Sequence, residues 1–483
     1  MLYTVFRASG RCTHPPFADY REKDGDAVRL INSIMKNETT KKGPSLFRPK
    51  LLDSFKGYSG KTLLYDLTAG LIVAAIALPL SITAALASGV SPERGIYTAA
   101  ISGFIAALLG GSRVNISGPS IAFAALSAGI VSKSGIEGLM IATILAGILL
   151  VLMGLLKWGR LIGRIPPALT AGLTAGLALT IAIGQIKDFF GLTFAPGSLP
   201  VTTAERICAL FQNAVTLDWQ NTLVGGVCLI LLILLPRINK RIPAAPIALV
   251  AGVLMVLVPE LLESAELIDG FKFTVNTVGD LYVIEGGLPA FSLPTVKWTS
   301  IPALLPAALA IALLSGTRSL FCCAVSDDLI DDQSNPNTEL IAQGLGNVLS
   351  GLFGGIPACG SVAKTAANVK NSGKTPVAGI IHALILLIVL WVLMPFAGYI
   401  PLPTVSAILF VAAYELCGRR KQMAFFKSAS KSELALFALT LLFTLLFDLT
   451  IALLAGAAGA TAVRFLEKRS LKANASNTIT PRK

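Results

Sequence analysis

Near Gly110 the chain carries an apolar stretch too short to cross a lipid bilayer. It opens with Ile116-Ser117-Gly118-Pro119-Ser120-Ile121-Ala122 and reads as a helix from Pro119, a favoured first-turn residue, to Lys133. At 1.5 Å per residue such a helix reaches only about 20 Å, short of the ~30 Å hydrocarbon core. Arg113–Ser117 reads as an extended lead-in. A matching stretch follows Ile356-Pro357-Ala358-Cys359-Gly360 and runs from Ser361 to Lys370. Each follows a double glycine, Gly110-Gly111 and Gly354-Gly355. Two interrupted segments in corresponding halves of a membrane protein point to a central binding site.

The surrounding sequence is that of a membrane protein: 54% of residues are apolar and 14% charged. Long apolar runs predict spans at Leu67–Ala87, Gly95–Leu109, Leu139–Leu156, Ala168–Ile186, Thr222–Leu235, Ile247–Val258, Ile301–Val325, Thr338–Phe353, Val377–Ala397 and Ile400–Leu416. Leu434–Phe465 is long enough for two spans, broken near Asp448. With the two short elements the expectation is about 14 segments. Each half holds two helices, an extended piece with a half-helix, then four helices. Seven is odd, so the halves take opposite orientations and form an inverted repeat. The expected fold class is therefore an all-α membrane protein, with short strands before the half-helices.

The expected domains are a largely unstructured cytoplasmic segment over 1–60, a transmembrane region over 61–466 and a basic tail over 467–483. The first repeat covers 62–262 and the second 300–466. Residues 39–44 read as a linker, and Met35 as an alternative start. The early charges precede no apolar core, so no signal peptide is expected. Leu78-Pro79-Leu80 places a proline inside the first span, a kink suited to the edge of a cavity.

The net charge of +13 is spread unevenly. Lys157/Arg160/Arg164, Arg237/Lys240/Arg241, Lys370/Lys374, Arg419/Arg420/Lys421 and the tail fall on alternate loops, whereas Pro259–Ser300 is mixed or acidic. Basic loops stay on the cytoplasmic side, which places both termini there and the protein in the plasma membrane. Nothing offers a nucleic acid a groove. The seven cysteines form no C-x-x-C pair, there are two histidines, and no Walker A loop occurs. We expect no metal, cofactor, ATP hydrolysis or enzymatic activity.

The start of each half-helix is the place for chemistry. Its first N–H groups have no intrahelical acceptor, and its peptide dipoles concentrate roughly half a positive charge there. Two such ends facing each other attract an anion. Gly118, Ser120, Ala122, Gly360, Ser361 and Ala363 are small enough for a ligand to reach the backbone; close helix packing alone is the competing explanation. Lys364 lies one turn into the second half-helix, where its charge opposes the dipole and a bound anion would neutralise it. Arg318 lies mid-span, a costly position that marks a functional candidate, with an ion pair to Asp448 or Glu415 as the alternative. His382 reads as a hydrogen-bonded packing residue, and Asp327, Asp328, Asp331 and Asp332 as a solvated loop.

These residues resemble the sulfate permease family of anion transporters. Ser88-Gly89-Val90-Ser91-Pro92 with Gly95-Ile96-Tyr97, Gly110-Gly111-Ser112-Arg113 with Ile116-Ser117-Gly118-Pro119, and Asn337-Thr338-Glu339-Leu340-Ile341-Ala342-Gln343-Gly344 carry the likeness. So do Gly354-Gly355-Ile356-Pro357 through Lys364-Thr365-Ala366-Ala367-Asn368, and Gly373-Lys374-Thr375-Pro376 with His382-Ala383. The resemblance implies a core of spans 1–4 and 8–11, a gate of spans 5–7 and 12–14, and elevator-like movement between them. It implies anion contacts at Leu80, Ala84, Gly118, Pro119, Ser120, Ile121, Ala122, Thr317, Arg318, Gly360, Ser361, Val362, Ala363 and Lys364. The expected partners are a small anion, the bilayer and, as a candidate, a second copy of the chain.

Two departures stand out. Family members often carry a carboxylate, linked to proton or sodium coupling, where this chain has Arg318. Arg318 would then supply a fixed cation in place of a mobile one. Members also usually end in a cytoplasmic STAS domain, which we expect this chain to lack. The expected function is transport of sulfate, bicarbonate, chloride or a dicarboxylate. A nucleobase–cation symporter of the same fold is the nearest alternative, but it would favour acids where Arg318 and Lys364 stand. A membrane sensor or membrane enzyme is a further one.

Overall fold

The computed structural model describes residues 47–446 except 56–57, 160–166, 195–202, 239–242, 265–273, 283–286, 295–300, 418–425 and 427–428, together with a few residues between 452 and 459. The linker at 39–44, Met35, Arg160, Arg164, Lys240, Arg241, Arg419, Arg420, Lys421, Asp448 and the tail from 467 lie outside the described residues.

Helix α1, Lys50–Ser54, precedes α2, Gly60–Ala87, whose first turn is capped by Ser59 accepting from the Thr62 amide. Helix α3, Pro92–Leu109, begins with proline at its first turn. Strand β1, Ser117–Pro119, leads through a 3₁₀ turn, Ile121–Phe123, into α4, Ala124–Leu155. Gly135 (φ 68°) interrupts the helical backbone of α4 and separates a short first part from a longer second part. Next come α5, Pro167–Phe190; α6, Thr203–Gln212; α7, Trp219–Ile238; α8, Ala244–Ser264; and α9, Val278–Leu281. The second half follows with α10, Ile301–Ile330, and α11, Pro336–Leu352, capped by Asn335 accepting from Asn337 and Thr338. Strand β2, Ala358–Gly360, leads directly into α12, Val362–Lys370. Helices α13, Val377–Leu393; α14, Leu402–Cys417; and α15, Lys431–Leu446, complete the described chain.

Among the described residues, five helical stretches are long and apolar enough to cross a membrane: Gly60–Ala87, Ile121–Leu155, Ala171–Phe190, Trp219–Ile238 and Ile301–Asp327. Ala244–Pro259, Val377–Val392 and Leu402–Glu415 are shorter apolar helices.

The halves interleave. The α4 helix of the first half packs on α10 and α11 of the second, and α13 packs on α2 and α3. Small residues permit this. A Cβ on Gly147 would stand 2.6 Å from the Gly344 carbonyl, and a Cβ on Gly344 2.6 Å from the Gly147 carbonyl. In lipid such backbone-to-backbone approach replaces the hydrophobic drive that water would supply. A second group packs around α5, which meets α14 and α15, while α7 meets α8 and α14.

Two sequence readings change near the N-terminal end of this bundle. Residues 50–54, expected to lack structure, form α1 because its start has partners: the Lys50 amide donates to Gly110 and the Arg48 amide to Thr338. The acidic loop is not merely solvated. Asp332 pairs with Lys50 (2.9 Å) and Arg113 (3.1 Å), and Asp327 accepts from the Ser334 amide and hydroxyl.

Candidate anion site

Strands β1 and β2 pair antiparallel, with Ser117 opposite Gly360, Gly118 opposite Cys359 and Pro119 opposite Ala358. Each strand continues into its own helix. Antiparallel pairing therefore makes the two helix starts face each other across the ribbon, about 10 Å long for three residues. Pro119 closes β1 rather than opening a helix, a correction to the sequence reading: Ser120 is the cap, accepting from the Ala122 amide at 3.4 Å. Ser361 stands at the second start with no side-chain capping bond.

A two-stranded ribbon inside an apolar bundle needs partners for its edges. Side chains provide them. Asn347 accepts from the Ala358 amide (2.8 Å) and donates to its carbonyl (3.1 Å), which also receives Ser315 (2.7 Å). Ser319 accepts from the Gly360 amide, Thr98 from the Ile356 amide and Thr365 from the Ile116 amide. The Asn368 side chain donates to Val114.

Behind the ribbon lies a polar network that the sequence reading did not assign to the site. Buried Glu339 accepts from Asn115 (2.6 Å), Gln343 (3.0 Å) and the Gly111 amide (3.0 Å). The Asn115 side-chain oxygen receives Cys322 and Thr365, and Gln343 receives Ser117. The network joins the loop before β1 to α10, α11 and α12. Arg94 mirrors Glu339: its guanidinium donates to the Gly354 carbonyl (2.7 Å), so the first turns of α3 and α11 each hold the opposite double glycine. The signal available in the sequence was the stripe Glu339, Gln343, Asn347, spaced four apart on one face of an apolar helix.

Lys364 is 2% exposed, and its ammonium has no hydrogen-bond partner. A Cβ on Gly118 would lie 2.6 Å from Nζ, so the amine rests on the bare backbone of β1. An uncompensated buried ammonium costs several kcal/mol, and a ligand anion would offset that cost. The helix starts beside it are accessible: Ala363 is exposed, and Ser120, Ile121, Ser361 and Val362 are half-buried.

The remaining predicted residues fall in different places. Ala122 is buried, and Ala84 packs in the same buried cluster as Phe123. Leu80 packs against the buried cluster of the second helix group that includes Phe189 and Ala407. Gly360 backs onto Asn115 and Ser319, and Thr317 donates to the Leu313 carbonyl of its own helix. Arg318 is half-buried, with its Nε sealed and unpartnered. His382 is fully buried among the packed helices, as a packing residue would be.

The model of the sulfate permease family matches residues 63–440. The chain belongs to the sulfate permease family. It is 35% identical to the putative sulfate transporter YvdB of Bacillus subtilis over 83% of this chain and 73% of that protein. It is 28% identical to the bicarbonate transporter BicA of a Picosynechococcus strain over 86% of this chain and 72% of that one. Its structure resembles the transmembrane domain of a cyanobacterial bicarbonate transporter BicA (TM-score 0.68, 26% identity), covering 83% of this chain and 98% of that domain. The fold also matches SLC26A9 (TM-score 0.77, 18% identity), over 86% of this chain and 68% of that one. With its apolar helices, this sulfate permease family chain is a multi-pass membrane protein.

Proposed function

We infer that the protein is a secondary active or facilitative transporter of inorganic and other small anions, which bind between the starts of the 3₁₀–α4 element and α12. The observation that carries this reading is the Lys364 ammonium, buried without a partner and seated on Gly118. The paired helix dipoles add positive potential at the same place. In this reading Ser120, Ile121, Ala122, Ser361, Val362 and Ala363 offer backbone N–H groups or hydroxyls to the anion, and Lys364 offers its charge. Sulfate and bicarbonate are the first substrates to test, because relatives are named for them. Chloride and dicarboxylates fit the same electrostatics.

The complete span set of about 14, the inverted seven-span repeats and the elevator-like displacement of the α2–α4 and α10–α13 group against the α5–α8, α14 and α15 group belong to this proposal. So do a plasma-membrane location with cytoplasmic termini, supported by the basic loops, and a homodimer. Arg318 is proposed as a fixed cation where relatives use a mobile one, and uptake that depends steeply on a sodium or proton gradient would contradict that role. Uptake of sulfate, bicarbonate and chloride into proteoliposomes, with and without imposed ion gradients, tests the reading. Vesicles that accumulate none of them would overturn it.

A further inference from the structure

Gly118 is the middle residue of β1 and stands opposite Cys359, the middle residue of β2. Ser120 and Ser361, at the two helix starts, lie two positions beyond them, about 7 Å along each strand. The Lys364 ammonium rests on Gly118, so it stands midway between the starts. Helical side chains lean toward the N-terminus, and from the first turn of α12 this lysine folds back over the ribbon that precedes it. Ala99 lies against the same glycine. Among the described residues no carboxylate or hydroxyl bonds to the amine. The titratable groups whose fields meet it are the thiols of Cys322 and Cys359 and the His382 ring.

A desolvated lysine with no fixed partner is the kind of amine that serves as a nucleophile. Two conditions limit what it can react with here. The amine is 2% exposed, although Ala363 at the helix start is open, so the reagent must be small and uncharged. The product must suit a pocket whose N–H groups and helix dipoles favour negative charge. Carbon dioxide meets both. It crosses apolar regions freely, adds to an amine without a leaving group, oxidant or enzyme, and leaves a carboxylate on the nitrogen.

We propose that Lys364 reacts reversibly with carbon dioxide to form a carbamate that closes the anion site. The inference rests on the anion-site reading and adds a regulator to it. The lone pair of the neutral amine forms the N–C bond, one C=O electron pair moves onto oxygen, and the nitrogen sheds a proton to water on the open side. Nothing is oxidised or reduced. The ammonium and two half charges of the helix starts sum to about +2, whereas the carbamate and the same half charges sum to about zero. The reaction therefore removes the attraction for an anion and fills the space it would take. A bound anion protects the site in return, because it holds the nitrogen as ammonium, which has no lone pair to attack.

Full-length protein in lipid nanodiscs is exposed to ¹³C-labelled carbon dioxide, fixed with triethyloxonium, which turns a carbamate into a stable ethyl ester, and digested. Mass spectra are expected to show the label on Lys364 without sulfate and to lose most of it in saturating sulfate. ¹³C NMR of the unfixed protein should show a carbamate signal that Lys364→Arg lacks. A wild type with neither the label on Lys364 nor that signal overturns the inference. In vesicles, carbon dioxide and bicarbonate are applied separately at fixed pH, in the seconds before they interconvert. Carbon dioxide at about ten times its half-saturating level should slow wild-type sulfate uptake about tenfold, reversibly. Inhibition by bicarbonate with none by carbon dioxide is competition for transport; it overturns the inference and leaves the anion reading intact. Wild-type vesicles that carry no anion overturn both.

Discussion

The Lys364 ammonium occupies the space that a side chain on Gly118 would need, 2.6 Å from the position of its Cβ. Two residues in opposite halves of the chain thus define one wall of the candidate site. Gly118 has no Cβ because the amine lies against the strand. Gly118→Ala should displace the amine and lower anion uptake about tenfold or more. A binding titration of the purified variant with sulfate checks the same loss independently of transport.

Lys364→Glu should abolish uptake while the protein remains folded, because it places a carboxylate among the N–H groups meant for an anion. Flux measured beside a thermal melt separates the two effects. Normal uptake by Lys364→Glu would remove this residue from the site.

Glu339→Leu should destabilise the protein more than any site substitution. It strips an acceptor from Asn115, Gln343 and the Gly111 amide at once. Each buried donor left without a partner costs about 1–3 kcal/mol. Glu339→Gln keeps the shape and an acceptor oxygen, so its melting temperature should fall between wild type and the Leu variant.

The Lys50–Asp332–Arg113 cluster ties α1 to the loops before β1 and α11. These side chains are partly exposed, so their contribution is modest, about 1 kcal/mol or less. Lys50→Met should lower the melting temperature slightly in dilute buffer, and the difference from wild type should shrink in 1 M salt as screening takes over.

Burial, then the neighbouring Asp66 carboxylate, pushes the Tyr58 phenol up to about 12 from 10.0. The folded state holds this proton after the unfolded chain has released it. The stabilisation is thus complete below pH 10 and disappears as pH rises through about 12. Tyr58→Phe should flatten that alkaline decline relative to wild type in melts across the interval.

Much of this protein is legible in its sequence. The apolar runs and ordered motifs identify a helical membrane protein of the sulfate permease family, and the paired double glycines mark where two helices start inside it. Those features are local, written in runs and short spacings that follow from bilayer thickness and helix rise. The partners are not local. Asn115 meets Glu339 across 224 positions, and Lys364 finds Gly118 across the antiparallel ribbon. A polar stripe shows which face of α11 must be satisfied but not by what. The interleaving of the halves settled that question: it carried Asn115 to Glu339 and left the Lys364 ammonium without a partner, because a buried polar atom is satisfied only by what packing brings within reach.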